Sequence, residues 1–167
     1  KKLSLELGGK NPNIIFADCD FDQALETTLE SSFSNQGEIC LCGSRILIER
    51  GVYDKFLHEL VRKTQALAIG DPLEEKTNIG ALTSKAHREK VLDYISLAKQ
   101  EGGEILTGGH PVVVKGRCER GYFVAPTVIA GLGAKCRTNQ EEIFGPVVTV
   151  MPFDTEEEAI ALANSTA

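Results

Sequence analysis

The sequence alternates short apolar runs with longer segments in which apolar residues recur every three or four positions. The apolar runs, each of strand length, lie at residues 11–17, 45–49, 104–107, 122–124 and 147–150. Segments with a helical period lie between most of these runs. Strands separated by helices of about ten residues or more pair in parallel and carry helices on both faces of the sheet. The pattern therefore predicts an α/β fold with a mainly parallel open sheet.

Helix ends are marked by residues that can cap them. Asp20 predicts the start of a helix that ends near Gly37, and Ser84 predicts the start of a helix that carries Val91 on its inner face. Thr155, followed by glutamate three residues later, has the pattern of a capping box for a last helix that ends at residue 163.

Composition and charge exclude several classes of function. Lys and Arg number 18 against 24 Asp and Glu, which gives a formal net charge of -6 and argues against a nucleic-acid surface. No apolar run approaches the roughly 18 residues of a membrane helix, so we expect no membrane segment. The five cysteines are scattered and no secretory leader is present, which favours a reducing cytoplasm and no disulfide framework. Dispersed cysteines and histidines also argue against a metal site.

The organisation of the chain is that of a single domain, because 167 residues suffice for one core. The only methionine is Met151, so we expect the chain to be a segment of something longer. It contains neither a G-x-G-x-x-G sequence nor a Walker loop, the usual cradles for a pyrophosphate group.

Cys40 is the thiol with the most informative surroundings. It lies between NQG at residues 35–37 and GSR at residues 43–45, so we expect it in a turn between a helix and a strand. A thiol in such a turn can attack a carbonyl while free backbone N–H groups hold the resulting oxyanion. The alternative is a small buried apolar residue, which is what most lone cysteines are.

Acidic residues occur in two settings that suit catalysis or binding. Glu6 lies between leucines, and burial among apolar neighbours raises a carboxyl pKa into the range of a general base. The alternative for Glu6 is a strand residue that faces water before a glycine turn. Glu142 and Phe144 are two residues apart, so on an extended segment they would share one side and together hold a ribose diol and a flat ring. A plain strand entry with a Gly-Pro turn is the alternative there.

Three motifs in a fixed order resemble the NAD(P)-dependent aldehyde dehydrogenase superfamily. They are LELGGKNP at residues 5–12, NQGEIC at residues 35–40 with GSR at 43–45, and EEIFGPV at residues 141–147. The resemblance covers essentially the whole chain and implies that residues 1–167 are that family's catalytic domain, with the dinucleotide-binding domain outside this sequence. It also implies a cytoplasmic parent protein that forms a homodimer or homotetramer.

The resemblance implies an oxidation of an aldehyde to a carboxylic acid with NAD(P), of which NAD is the expected form. Cys40 would attack the aldehyde to give a thiohemiacetal and then a thioester, and Glu6 would activate the hydrolytic water. The register of the motif makes Cys42 a spectator. The two catalytic groups are then expected to open into a common tunnel beside residues 142–144.

The resemblance also implies which residues contact the cofactor. Glu142 would bind the nicotinamide ribose hydroxyls, and Phe144 would pack near the nicotinamide. The other matches to cofactor-contacting positions are Leu7, Gly8, Lys90 and His87. Leu7 and Gly8 lie where the backbone approaches the cofactor, and the other two lie where a helix reaches the adenosine ribose. His87 departs from the family, which commonly has glutamine at this position.

The substrate and the alternative functions follow from the residues around Cys40. The run EICLCGSR at residues 38–45 is most similar to relatives that oxidise semialdehydes of the 2-hydroxymuconate or 2-aminomuconate type. Arg45 is the one arginine near Cys40 that could recognise a substrate carboxylate. Two other functions stay open, namely a cofactor-independent cysteine esterase or acyl-transfer domain and a non-catalytic structural domain. We expect the isolated segment to have little or no dehydrogenase activity.

Overall fold

A mainly parallel five-stranded sheet organises the chain, as the alternating pattern predicts. The structure is a computed structural model that describes residues 1–166. Its strands and helices in chain order are β1 (Pro12–Ile15), α1 (Phe21–Phe33), β2 (Arg45–Glu49), α2 (Arg50–Gln65), α3 (Lys85–Gln100), β3 (Glu104–Thr107), β4 (Pro111–Val112), β5 (Phe123–Val124), β6 (Thr127–Ala130), α4 (Arg137–Gln140), β7 (Val147–Phe153) and α5 (Glu156–Ala163). The strand order is β1-β2-β7-β6-β3, and β4 pairs with β5 in a separate hairpin. The first four strands in that order are parallel, whereas β3 runs antiparallel to β6.

Helices cover both faces of this sheet, which confirms the α/β prediction. On one face α1 and α2 pack against the strands, and the buried residues there include Leu25, Leu29, Ile46, Ile48, Phe56, Leu60, Val148 and Val150. On the other face α3 packs against β3 and shares a buried cluster with Ile129 of β6 and Val147 of β7, and α5 packs against β1, β2 and β7. The buried residues of that face include Leu47, Val91, Ile95, Ile129, Val147, Met151 and Ala159. Side chains of adjacent strand residues point to opposite faces, and helices cover both faces. Nearly every residue of β2 and β7 is therefore buried.

The predicted helix starts are confirmed by their caps. The side chains of Asp20, Ser84 and Thr155 each accept a hydrogen bond from the backbone N–H three residues later. The capping box is only half formed, because the Glu158 carboxylate accepts from the N–H of Asp154 rather than from that of the capping residue (2.7 Å). Helix α5 therefore has its predicted N-cap, but the reciprocal hydrogen bond goes to the residue before the cap.

Strand β6 is the main element that the sequence patterns miss. It is four residues long and fully buried, and it lies between β7 and β3. A proline precedes it and a glycine follows it, so its apolar run is too short to show a period. In the described part of the chain, no helix has the length and apolar character of a membrane span.

Candidate active site

The three motif segments each lie directly before a parallel strand. Residues 5–11 precede β1, residues 38–44 precede β2 and residues 141–146 precede β7. Since these strands are parallel neighbours, their amino ends meet at one edge of the sheet. Open α/β sheets more often bind ligands at the carboxyl ends of their strands. This sheet instead gathers its chemically distinctive residues at the amino edge.

Hydrogen bonds join the three segments at that edge. Asn11 donates from Nδ2 to the carbonyl oxygens of Cys40 (2.7 Å) and Cys42 (3.1 Å). Two residues earlier, the N–H of Gly9 donates to Oε1 of Glu142 (3.1 Å). The segment before β1 is therefore tied both to the turn that carries the candidate nucleophile and to the acidic residue before β7. Asn11 lies within the first motif, but no pattern in the sequence marks it as a contact of the Cys40 turn.

A left-handed turn leads from α1 to the candidate nucleophile. The φ angles of Asn35, Gln36 and Gly37 are 48°, 57° and 71°. A Cβ atom on Gly37 would lie 2.3 Å from the carbonyl oxygen of Gly145. Glycine is required here by both the backbone conformation and the close approach. The turn thus brings the nucleophile segment into direct contact with the segment before β7.

The two neighbouring thiols differ in exposure. Cys40 is exposed in a turn at the end of the motif, so the alternative that it is a small buried residue is wrong. Cys42 is 8% exposed, and burial raises the pKa of its thiol. A raised pKa keeps a thiol protonated and unreactive near neutrality. This difference supports the prediction that Cys42 is the spectator.

Glu6 lies in an irregular segment and is exposed, which corrects the expectation that leucines bury it. Its neighbours Leu5 and Leu7 are 69% and 70% exposed. The alternative of a strand residue facing water is half right, because Glu6 faces water but belongs to no strand. Neither Glu6 nor Cys40 lines the small cavity found at this edge of the sheet. The small cavity at this edge, about 20 Å³, is lined instead by residues that include Lys10, Cys42, Ser44, Glu142 and Phe144.

The segment before β7 is not simply extended, which corrects the prediction that alternate residues share one side. Phe144 is half-buried and has a φ of 62°, a left-handed conformation that bulky residues seldom adopt. Glu142 turns its carboxylate onto the Gly8–Gly9 backbone, where a Cβ on Gly8 would lie 2.4 Å from Oε2 of Glu142. Gly8 therefore permits a close approach, but in this structure the approaching group is the Glu142 carboxylate.

One face of α3 holds this segment in place. His87 Nε2 lies 2.5 Å from the carbonyl oxygen of Phe144, and Lys90 Nζ donates to the carbonyl oxygen of Glu142 (3.0 Å). One turn further along, the Tyr94 hydroxyl donates to the carboxylate of Glu141 (2.5 Å). The shared helix face of His87 and Lys90 is thus confirmed, but both point their nitrogen atoms at backbone carbonyls. Tyr94 extends the same face and was missed, since tyrosine at this spacing usually marks a helix core.

Two buried cations at this edge were misjudged or missed by the sequence analysis. Arg45 is fully buried and donates to the carbonyl oxygens of Lys10, Leu162 and Ala163, each at 2.8 Å. It holds the end of α5, so it is not free to recognise a substrate carboxylate. Lys10 is 4% exposed, and burial, reinforced by the charge of Arg45, lowers its pKa to about 8. No periodic pattern marks a lysine between a glycine turn and a strand.

The fold and the motif segments at the amino edge of the sheet are typical of aldehyde dehydrogenases. The aldehyde dehydrogenase family matches residues 1–167, and the chain belongs to that family. The 2-aminomuconic semialdehyde dehydrogenase of Danio rerio is 52% identical over 167 residues, which are 99% of this chain and 34% of that protein. The 4-trimethylaminobutyraldehyde dehydrogenase A of Danio rerio is 47% identical over 167 residues, 99% of this chain and 33% of that protein.

A solved structure with the same fold carries a dinucleotide. The betaine aldehyde dehydrogenase of Staphylococcus aureus in complex with NAD+ matches with a TM-score of 0.91 and 42% identity, covering 96% of this chain and 32% of that one. The chain thus spans about a third of the length of the relatives that it matches.

Proposed function

We propose that these residues form the catalytic domain of a longer chain that oxidises an aldehyde to a carboxylic acid with NAD(P). The observation that carries the proposal is the exposed Cys40 in a turn that Asn11 holds, while Gly37 just before it is packed against Gly145, the residue after Phe144. A nucleophile, a carboxylate and an aromatic ring at one sheet edge provide the parts for hydride transfer from a covalent adduct.

In the proposed mechanism the Cys40 thiolate attacks the aldehyde carbon and forms a thiohemiacetal, whose oxyanion accepts from the backbone N–H of Cys40. NAD(P), when bound, would supply the hydride acceptor for that carbon, which would stay attached to the Cys40 sulfur as a thioester. Glu6 removes a proton from water, which attacks the thioester and releases the carboxylic acid and the thiol.

The proposed cofactor contacts fit the chemistry of the residues present. The Glu142 carboxylate offers acceptor oxygens to the two hydroxyls of a ribose, and its Oε1 is already matched to a donor, the N–H of Gly9 (3.1 Å). The half-buried ring of Phe144 suits a flat nicotinamide. We propose that Leu7 and Gly8 approach the cofactor through their backbone, and that Lys90 and His87 face its adenosine ribose. NAD is the proposed form.

We propose an aldehyde of the semialdehyde class as substrate. The 52% identity to a 2-aminomuconic semialdehyde dehydrogenase supports it, as does the sequence around Cys40. A substrate carboxylate would need a cation other than Arg45, because the guanidinium of Arg45 is buried on backbone carbonyls. Glu6 is exposed in this structure. Residues outside 1–166 would have to bury it for it to act as a general base. For the longer protein we propose a homodimer or homotetramer in the cytoplasm.

The first experiment tests whether Cys40 is a nucleophile. The 167-residue chain is treated with iodoacetamide near neutral pH, and the modified cysteines are mapped by mass spectrometry at several times. Cys40 should be alkylated much faster than Cys42, because Cys40 is exposed, whereas burial hides the Cys42 thiol and raises its pKa. Equal, slow labelling of all five cysteines would favour a structural domain and contradict the proposal.

The second candidate function is a cofactor-independent esterase, which the exposure of Cys40 favours. Turnover of an activated ester such as p-nitrophenyl acetate, measured without NAD, tests it. The C40S variant should lose this turnover, and the C42S variant should keep it. We expect no NADH production from an aldehyde by the 167-residue chain; measurable NADH would show that these residues alone bind the cofactor productively.

A further inference from the structure

His87 faces two oxygen atoms that belong to different parts of the candidate site. Its Nε2 lies 2.5 Å from the carbonyl oxygen of Phe144 and 3.4 Å from Oε1 of Glu38. The side chains of His87 and Glu38 are 15% and 10% exposed, so water competes little for either contact. Glu38 lies two residues before Cys40, and Phe144 lies on the segment before β7. His87 therefore touches both the nucleophile turn and the cofactor segment from a third element, α3.

The two contacts fix the protonation of this nitrogen. A backbone carbonyl oxygen can only accept a hydrogen bond, and an ionised carboxylate can also only accept. Nε2 must therefore carry a hydrogen, which it donates to the nearer acceptor, the Phe144 carbonyl, while Glu38 attracts it electrostatically. Glu38 is itself held, since its Oε1 also accepts from the N–H of Thr83 just before α3 (3.2 Å).

The backbone at Phe144 is strained, and the hydrogen bond from His87 to its carbonyl oxygen helps to hold that conformation. The φ of 62° at Phe144 persists only where surrounding contacts enforce it. Next to it, the Gly145 carbonyl is packed against Gly37, and a Cβ on Gly145 would lie 2.6 Å from a methyl group of Val91 on α3. The hydrogen bond from His87 completes this enclosure by holding the Phe144 carbonyl itself.

We propose that His87 is a positioning residue that joins the turn carrying Cys40 to the segment carrying Phe144. It fixes the separation between the nucleophile and the face on which the nicotinamide would lie. The assignment rests on the proposed function for the roles of Cys40 and Phe144, whereas the bridge itself is a property of the described contacts. The bridge uses only Nε2 of His87, so it is separate from the proposed contact of this residue with the adenosine ribose.

The experiment measures amide hydrogen exchange on both sides of the bridge in the 167-residue chain. Suitable reporters are the Cys42 amide, which donates to the Ile39 carbonyl (3.0 Å), and the Val147 amide, which donates to the Gly145 carbonyl (2.7 Å). In H87A both should exchange roughly threefold to tenfold faster, the loss expected for one hydrogen bond. H87Q supplies an amide donor and should restore both rates. H58A, which alters an exposed histidine on α2, is the matched control and should leave both unchanged.

A role confined to packing of α3 gives a different pattern. In that case Val147 alone would exchange faster, or H87Q and H87A would behave alike, and either result would overturn the bridge. E38A should raise the same two exchange rates. The E38A/H87A double variant should exchange little faster than H87A, because the two substitutions break the same connection. Additive effects would also overturn it.

A measurement on the unaltered chain covers the case in which H87A fails to fold. A scalar coupling across the hydrogen bond, between His87 Nε2 and the Phe144 carbonyl carbon, should be detectable by NMR; an unprotonated Nε2 would overturn the proposal. Failure of the proposed function can be told apart from failure of the bridge. It would appear as equal, slow alkylation of all five cysteines, whereas the exchange rates and the scalar coupling report only on the bridge.

Discussion

The contact between Gly37 and Gly145 is the most exacting in the candidate site, and Gly37→Ala tests it directly. An added Cβ would lie 2.3 Å from the carbonyl oxygen and 2.6 Å from the carbonyl carbon of Gly145. Neither segment can retreat easily, because Gly145 is itself packed against Val91 of α3. The substitution should therefore separate the turn that carries Cys40 from the segment before β7 and destabilise the fold.

The expected loss combines a backbone cost with a packing cost. At a φ of +71°, a residue with a Cβ is strained by about 1–2 kcal/mol. Relieving the overlap with a packed backbone costs about 1–3 kcal/mol more. The reduced freedom of the unfolded chain returns about 0.4–1 kcal/mol. We expect Gly37→Ala to lower the free energy of unfolding by about 3 kcal/mol, a large share of the roughly 5–15 kcal/mol typical of a domain.

Two other glycines separate these costs. Gly102 has a φ of +90° with nothing within 4 Å of its added Cβ, and Gly133 also has open space there. Urea unfolding followed by circular dichroism should show a loss of about 1 kcal/mol for Gly102→Ala and a gain of about 0.4–1 kcal/mol for Gly133→Ala. If Gly37→Ala and Gly102→Ala cost the same within about 0.5 kcal/mol, the close contact has no energetic consequence and the reasoning is refuted.

The remaining predictions concern charged groups, and urea unfolding or thermal melting measures each. Lys10→Met removes an amine whose pKa is lowered from 10.5 to about 8. Unfolding stability of the wild type should rise by about 3 kcal/mol from pH 8 to 10.5, where the unfolded chain binds the extra proton, and the variant should lack that rise. Hydrogen bonds from Arg137 and Tyr94 hold the pKa of Glu141 at about 2, so its contribution is complete above pH 4.5 and is lost as the pH falls toward 2. Glu141→Gln should therefore melt with a smaller pH dependence over that window, and an equal dependence would contradict this. Arg45→Met leaves three backbone carbonyls without their donor and should cost about 3 kcal/mol; a loss under about 1 kcal/mol would show that water replaces the guanidinium.

Local signals in the sequence were sufficient for most of the fold. Asp20, Ser84 and Thr155 cap their helices as predicted because capping depends on a side chain and an N–H only three residues away. Strand β2 was predicted because a sheet buried on both faces demands a continuous apolar run. Strand β6 was missed because four residues between a proline and a glycine carry too little pattern, and its pairing with β7 and β3 is decided by the whole sheet.

For the site, the sequence by itself selected the candidate residues, and the tertiary structure decided what each of them faces. The ordered motifs selected Cys40 over Cys42, and the structure exposes the first and buries the second. Burial, in contrast, depends on segments distant in the chain, so the flanking leucines could not show that Glu6 faces water. For the same reason, the arginine proposed for the substrate is occupied by the end of α5. Sequence spacing fixes neighbours along the chain, whereas the environment of a charge is set by whatever the fold packs against it.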